Sequence, residues 1–358
     1  MSKKRADGRH QVSCVFDGKR KYFYGKTLSE ARKKRDVYVE RVTQSPNYDE
    51  SITLGQWLAV WLRGMKGSLR PSTFQSYREY MQRYILITIG KYKLVELQPS
   101  IFRIQIAKML DSGLSNRTVQ YAFSIVRHAL KQTVSDGLLA VSPMRGVQLP
   151  KRIKTAVTSL SKEEVSKLLS VISNKKHYNL YWTVLYTGLR RGEILGLRIS
   201  DVDFKKGTIT IRQTVVNVDN TVQISSTTKN ESSRRTISID TKTLSVLKNQ
   251  KALAYADRMR TLEYHDNDLL FARPDGNPLD PKYISHTANN YGRKAELPHL
   301  SFHMLRHTHA TLLLLAGVHF KVIQHRLGHS TFQQTMDTYS HVLPDIEEQV
   351  VDKLTALI

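Results

Sequence analysis

The sequence predicts a multidomain chain of three parts. These are a small basic β-hairpin plus helix, an all-α bundle, and a larger mixed α+β unit that is mainly helical. Three patterns predict it. Near the N-terminus two short alternating runs flank a turn pair. From residue 51 to about 150 apolar residues recur at helical spacing. Beyond residue 156 helical patterns resume, broken by four alternating runs between residues 208 and 239. Helical spacing buries one face of a 3.6-residue period, whereas alternation buries one face of a strand. The expected domains are residues 1–45, 51–150 and 156–358.

In the first part, Gln11 to Phe16 and Lys19 to Gly25 are the strands. Asp17-Gly18 supplies a hairpin turn that tolerates positive φ. Thr27 and Glu30 match a capping box opening a helix to about Val42. Cations stand beside aromatics in Lys19-Arg20-Lys21-Tyr22-Phe23-Tyr24, as in a β-ribbon able to enter a DNA groove; a solvated basic arm without sequence preference is the plainer reading. Thr43 to Asp49 is polar, contains Pro46 and reads as a linker. Helices follow over Leu54 to Leu62, Phe74 to Leu86, Ile101 to Leu110 and Val119 to Val134. Pro71, Pro99 and Asn116 mark starts, and Gly113 and Gly137 mark stops. Leu149 to Thr155 is a short basic connection.

In the third part Ser161 and Glu164 cap a helix, and Leu180 to Tyr186 is a buried helix ending near Gly188. Thr208 to Arg212, Thr214 to Val218, Val222 to Ser226 and Arg235 to Ile239 alternate as strands of one small antiparallel sheet. Asp219-Asn220 turns one hairpin and Lys229 to Ser233 the next. Beyond Thr241 the chain reads as mainly helical, with an amphipathic tail helix from about residue 345 carrying Ile346, Val350, Val351, Leu354 and Leu357 on one face.

Composition narrows the partner. The 358 residues hold 55 Lys and Arg against 31 Asp and Glu, a formal net charge of +24. A field of that sign suggests a polyanion, most simply double-stranded DNA. The single Cys14 excludes an internal disulfide and a cysteine-based zinc site. No apolar run reaches about 18 residues, and the basic start Met1 to Arg5 lacks an apolar signal core. A cytoplasmic protein without a membrane partner is expected.

The chemistry lies in an ordered set. His303-x-x-Arg306 precedes Leu327-Gly328-His329, and Tyr339 follows ten residues later. Upstream, Thr187-Gly188-Leu189-Arg190-Arg191-Gly192-Glu193 adds another cation. Attack on a phosphodiester builds charge on its non-bridging oxygens, so the site needs fixed cations and donors there. Arginine suits this because its planar fork binds phosphate bidentately and stays charged. His303 and Arg306, three apart on a helix expected over Phe302 to Ala316, share a face. A phenol with a pKa of about 10 needs a base or cation nearby to attack at neutral pH. His307 and His309 invite a metal reading, but no acidic third ligand stands in frame, so no metal and no cofactor are expected. Residues 320–341 also read as a helix-turn-helix DNA reader.

Those three segments resemble the signature boxes of the tyrosine recombinases, and the order of parts is similar to phage and conjugative-transposon integrases across nearly the whole chain. The resemblance implies an arm-type DNA-binding domain at the N-terminus, a core-binding bundle and a catalytic domain. It implies that Tyr339 is the nucleophile, forming a 3′-phosphotyrosyl link. Arg190 and Arg306 would clamp the phosphate, His303 would assist proton transfer from Tyr339, and His329 would donate to the phosphate. Lys229, in Thr228-Lys229-Asn230, would match the lysine that protonates the leaving 5′-oxygen, with Arg234 and Arg235 as neighbours able to compete for that role. Glu193 would brace the arginine region. The implied partners are core crossover sites, distal arm sites, a tetramer of the chain on DNA with the tail docked in trans, a host DNA-bending protein and an excision factor, all on nucleoid DNA in a bacterial host. A non-catalytic DNA-binding regulator and a type IB topoisomerase-like relaxing enzyme are the alternatives.

Overall fold

The computed structural model describes residues 3–4, 7–16, 19–43, 51–153, 159–225 and 234–328. The chain forms two compact units, Met1–Lys154 and Thr155–Ile358.

In the first unit β1 (Lys3–Lys4), β2 (His10–Phe16) and β3 (Lys19–Gly25) form an antiparallel sheet in that order, with Val12 opposite Phe23. Helix α1 (Leu28–Thr43) packs on it, burying Val12 and Ala31 and bringing the Tyr38 ring to 5.2 Å from Phe23. The capping box at Thr27 is half formed. The Thr27 hydroxyl accepts from the Glu30 N–H, but the Glu30 carboxylate accepts from the Lys26 N–H, one residue earlier than expected. The Asp17-Gly18 turn and the 44–49 linker lie outside the described residues.

The bundle of the same unit comprises α2 (Leu54–Gly64), α3 (Pro71–Tyr80), α4 (Pro99–Asp111) and α5 (Asn116–Ser135). Pro71, Pro99 and Asn116 are each the first helical residue, where a missing or unpaired N–H costs nothing. The expected helix through Leu86 is not uniform: after Tyr80 it widens into a π turn over Met81–Leu86. Leu54, Trp57, Leu58, Ile85, Phe102, Phe123 and Val126 form the centre of the core. The Trp57 indole donates to the Ala129 carbonyl at 2.9 Å, satisfying its one polar atom inside that core.

The second unit opens with α6 (Lys162–Ile172), capped reciprocally by Ser161 and Glu164 as expected. Helix α7 (Tyr178–Thr187) ends on Gly188 at φ +67° and leads into the short α8 (Arg191–Leu195). The four expected strands form, but in two sheets rather than one. β4 (Val202–Asp203), β5 (Thr208–Ile211) and β8 (Arg235–Ser238) make one sheet in the order β4-β5-β8. β6 (Thr214–Val218) and β7 (Thr221–Ser225) make a separate hairpin. Its turn residues Asp219 and Asn220 both have positive φ, as a type I′ turn requires. Among the described residues β8 pairs with β5 and not with β7, and residues 229–233, expected to turn a hairpin, lie outside the described residues. Period-2 alternation gives each strand its faces but not its partner, which is how the single expected sheet went astray. Helices α9 (Thr241–Arg260), α10 (Pro281–Lys294), α11 (Phe302–Leu315) and α12 (Phe320–Leu327) complete the unit. Tyr181, Leu195, Ile209, Leu270, Ile284 and Leu305 lie at its core. Among the described residues no helix is long and apolar enough to cross a membrane.

Candidate active site

Arg190, Glu193 and Arg306 converge where α7, α8, α11 and α12 meet. Arg190 is the N-cap of α8, and its own N–H donates to a Glu193 carboxylate oxygen at 2.9 Å while its Nη1 donates to the other at 2.7 Å. Its Nη2 reaches the Gly328 carbonyl at 2.7 Å. Arg306 is 2% exposed, and its Nη1 and Nη2 donate to the carbonyls of Gly188 and Leu327, each at 2.7 Å.

A third guanidinium joins them. Arg235 opens β8 with its side chain buried, donating through Nη2 to Glu193 at 2.9 Å and through Nε to the Arg326 carbonyl at 2.7 Å. The carbonyls of residues 326, 327 and 328 are therefore held by three different arginines. The last carbonyls of a helix have no partner within it, and the dipole places partial negative charge there, so cations suit that end. Gly328 caps α12 at φ +64°.

Glu193 is 5% exposed. Burial by itself would raise its pKa, but Arg235, Arg190 and Arg306 outweigh that and bring it down to about 2. Among the described residues, Arg190 and Arg235 bond this one carboxylate and Arg306 acts on it electrostatically, an excess of positive charge that is buried at Arg235 and Arg306 and 31% exposed at Arg190. Such an excess is costly unless an anion or oriented oxygens compensate it.

His303 sits on α11, one turn before Arg306, with its ring edge-on to His307 at 4.5 Å between centroids. The ring reaches solvent, yet surrounding protein and the cations of Arg306, Arg190 and Arg191 hold its pKa down to about 4. It is neutral at pH 7 and able to accept a proton. His309, one turn beyond Arg306, does something else. Its Nδ1 lies 2.8 Å from the Leu185 carbonyl, so Nδ1 carries the proton and Nε2 accepts from Arg326 Nε at 3.1 Å. Burial and Arg326 lower its pKa to about 3. Arg326 also donates to the carbonyls of Ser238 and Tyr186, tying α12 to β8 and α7. Among the described residues no group of His, Cys, Asp and Glu is arranged to hold a metal ion.

The structure therefore brings together Arg190, His303 and Arg306 of the expected set, with Glu193 as the brace. Lys229, His329 and Tyr339 lie outside the described residues, as does the tail from about residue 345. Arg235, His309 and Arg326 were not foreseen as parts of this framework. Arg235 is buried against Glu193, and its strand alternates buried and exposed from Arg235 onward. An arginine in the inward phase of a strand otherwise bearing Ile237 was the available signal.

Residues 158–345, more than half of the sequence, match the model of the phage integrase family. The chain belongs to that family. Residues 53–109 match the N-terminal SAM-like domain of phage integrases, which covers the first helices of the bundle. This integrase is 28% identical to a XerC-like tyrosine recombinase of Caldanaerobacter subterraneus subsp. tengcongensis, over 94% of its own length and 92% of the relative's. Its fold resembles the Tn1549 transposon integrase solved with transposon right-end DNA, with a TM-score of 0.70 and 21% identity over 85% of this chain and 99% of that one. It also resembles a λ integrase solved as a tetramer on a Holliday junction, with a TM-score of 0.60 and 17% identity over 94% and 95% of the two chains. The integrase is a site-specific DNA recombinase of the tyrosine type. Neither a non-catalytic regulator nor a topoisomerase-like relaxing enzyme is favoured.

Proposed function

We propose that this integrase cuts and rejoins DNA through Tyr339, integrating or excising a mobile element. The observation that carries the reading is the cluster of Arg190, Arg235 and Arg306 around the single carboxylate of Glu193. Among the described residues its cations outnumber its anions, which suits a phosphodiester, whose charge grows as it is attacked. Arg190 and Arg306 stabilise that phosphate, and His329 donates to it. The phenolic oxygen of Tyr339 attacks phosphorus while neutral His303 takes its proton. The bond from phosphorus to the 5′-oxygen breaks, and Lys229 protonates that oxygen. A free 5′-hydroxyl then reverses the exchange on the phosphotyrosyl ester. One ester replaces another, so the step calls for no nucleotide energy source and no metal.

Residues 1–45 form an arm-type domain that grips a distal DNA site. Support comes from the outer face of the first sheet, where Arg20, Tyr22 and Tyr24 are exposed opposite Val15, Ser13 and Gln11. Cations interleaved with aromatics on an exposed sheet face suit a DNA groove. Residues 51–150 and 156–358 hold the core site. Four protomers act together on two duplexes, with tails docked in trans, on nucleoid DNA in the bacterial cytoplasm. A host DNA-bending protein and an excision factor complete the assembly.

A nicked suicide duplex carrying the crossover site tests the central claim. The wild type should be trapped as a covalent protein–DNA adduct, and Tyr339→Phe should give none. An adduct that persists in Tyr339→Phe would refute it. Removal of residues 1–45 should abolish distal-site binding and spare core-site cleavage; undiminished distal binding would remove the arm assignment.

A further inference from the structure

We propose that Arg191 and Ser285 form a second phosphate subsite, which holds a phosphate next to the scissile one on the cleaved strand. The proposal rests on the reading of Arg190 and Arg306 as the clamp on the scissile phosphate. Arg191 follows Arg190 directly in the chain, yet the two guanidiniums are held differently. Arg190 is tied to the Glu193 carboxylate and the Gly328 carbonyl. Arg191 turns to α10, where its Nη1 donates to the Ser285 hydroxyl. That hydroxyl donates in turn to the Pro281 carbonyl at 3.2 Å, which leaves its lone pairs for the guanidinium. Among the described residues Arg191 has no ion-pair partner, and its Nε and Nη2 bond no side chain.

The surroundings of Arg191 call for an anion. The residue is exposed, so a duplex can reach it. Surrounding protein nevertheless holds its pKa below the ordinary value, and Asp280 offsets only part of this. A cation that has lost water without gaining a carboxylate is costly until an anion arrives. Its charge also acts on His303, alongside those of Arg306 and Arg190, so the three cations surround one imidazole. The backbone that carries it is firmly seated. A Cβ at Gly192 would stand 2.8 Å from the Val215 carbonyl, so α8 lies close against β6. Along one DNA strand a charge recurs about every 3.4 Å of helix axis. A strand with one phosphate at Arg190 and Arg306 therefore brings the next one towards a cation bordering the same imidazole.

The test uses full-length protein and nicked suicide duplexes carrying a single methylphosphonate, which removes one phosphate charge. It is placed at either neighbour of the scissile phosphate or, as a control, well away from the crossover. With the wild type, one of the two flanking substitutions should slow adduct formation about 10- to 100-fold, the scale of a lost charge-assisted hydrogen bond. Arg191→Ala should be slowed about as much on the unmodified duplex, and the same substitution should then slow it less than about twofold further. The remote substitution should act equally on both proteins. Arg191→Gln, which can still donate to Ser285 but carries no charge, should behave as Arg191→Ala. The slope of log duplex affinity against log salt should become shallower by about one in both variants. A residue that merely braces α8 on α10 predicts losses that multiply at both flanking phosphates, and a wild-type rate in Arg191→Gln. Either result overturns the proposal. If the wild type forms no adduct on the unmodified duplex, the catalytic reading fails, and an unchanged salt slope in the variants then overturns the subsite as well.

Discussion

Replacing Glu193 by Gln should destabilise the second unit by about 3 kcal/mol, and the same figure can be reached from the wild type by acid. Among the described residues the carboxylate is the anion that Arg190 and Arg235 bond, and its pKa falls from 4.5 to about 2. At 1.36 kcal/mol per unit that drop corresponds to about 3 kcal/mol favouring the charged folded form. Removing one partner of a buried pair costs a similar amount, about 3 to 5 kcal/mol, because the remaining cation is left uncompensated. The sign follows from a depressed carboxylate: its contribution is complete above pH 4.5 and disappears as pH falls through about 2. For a unit of this size the variant should melt roughly 6 to 12 °C lower at pH 7. Calorimetry gives the shift, and hydrogen exchange on peptides covering α7 and α8 assigns it to the second unit. The difference between wild type and Glu193→Gln should shrink between pH 4.5 and 2. A melting difference under 2 °C at pH 7, or one that stays constant through that window, would show that the ion cluster does not brace the fold.

Gly188→Ala should destabilise the second unit by more than about 2 kcal/mol, measured by urea unfolding, because a Cβ there stands 2.6 Å from the His309 ring and 2.8 Å from Leu327 at a φ of +67°; a loss under about 0.5 kcal/mol would contradict this. His303, with its pKa lowered to about 4, should stay neutral across the working range, so adduct formation should show no acid limb near pH 6.5 that His303→Gln abolishes. Such a limb in a pH–rate profile would mean that His303 titrates normally. Duplex affinity should drop by about 10³-fold or more between 50 and 200 mM salt if six or more phosphates are neutralised, read from the slope of log affinity against log salt; a flat slope would argue against backbone contacts despite the +24 charge.

The fold was legible wherever a residue's local physics decides its conformation. Pro71 and Pro99 begin helices because proline lacks an N–H that the first turn does not use. Gly188 and Gly328 end them because left-handed backbone is cheap without a Cβ. Ser161 and Glu164 cap because each side chain accepts from the other residue's backbone N–H. Strand partnership was not legible. β5 skips past the β6–β7 hairpin to pair with β8, a choice made by the core around Ile209, Ile211 and Ile237 rather than by alternation. The π turn at Met81–Leu86 left no pattern distinct from an ordinary helix.

The site divides along a similar line. That Arg190, His303 and Arg306 come together could be expected from spacing and chemistry, because a phosphate-handling site needs those residue types in some order. What holds them could not, because support is a matter of convergence from distant segments. Arg235 and His309 are separated by 74 positions, yet both act on Arg326, one through its carbonyl and the other through its guanidinium. His309 shows how a histidine beside a catalytic candidate can be structural: a proton fixed on Nδ1 by Leu185 leaves Nε2 as a permanent acceptor, and a pKa near 3 keeps it so. His303, six residues earlier on the same helix, has a lowered pKa as well but an edge open to solvent. The two neutral imidazoles differ in access and in partners. Buried, the ring of His309 is a strut for α12; that of His303 is open to solvent.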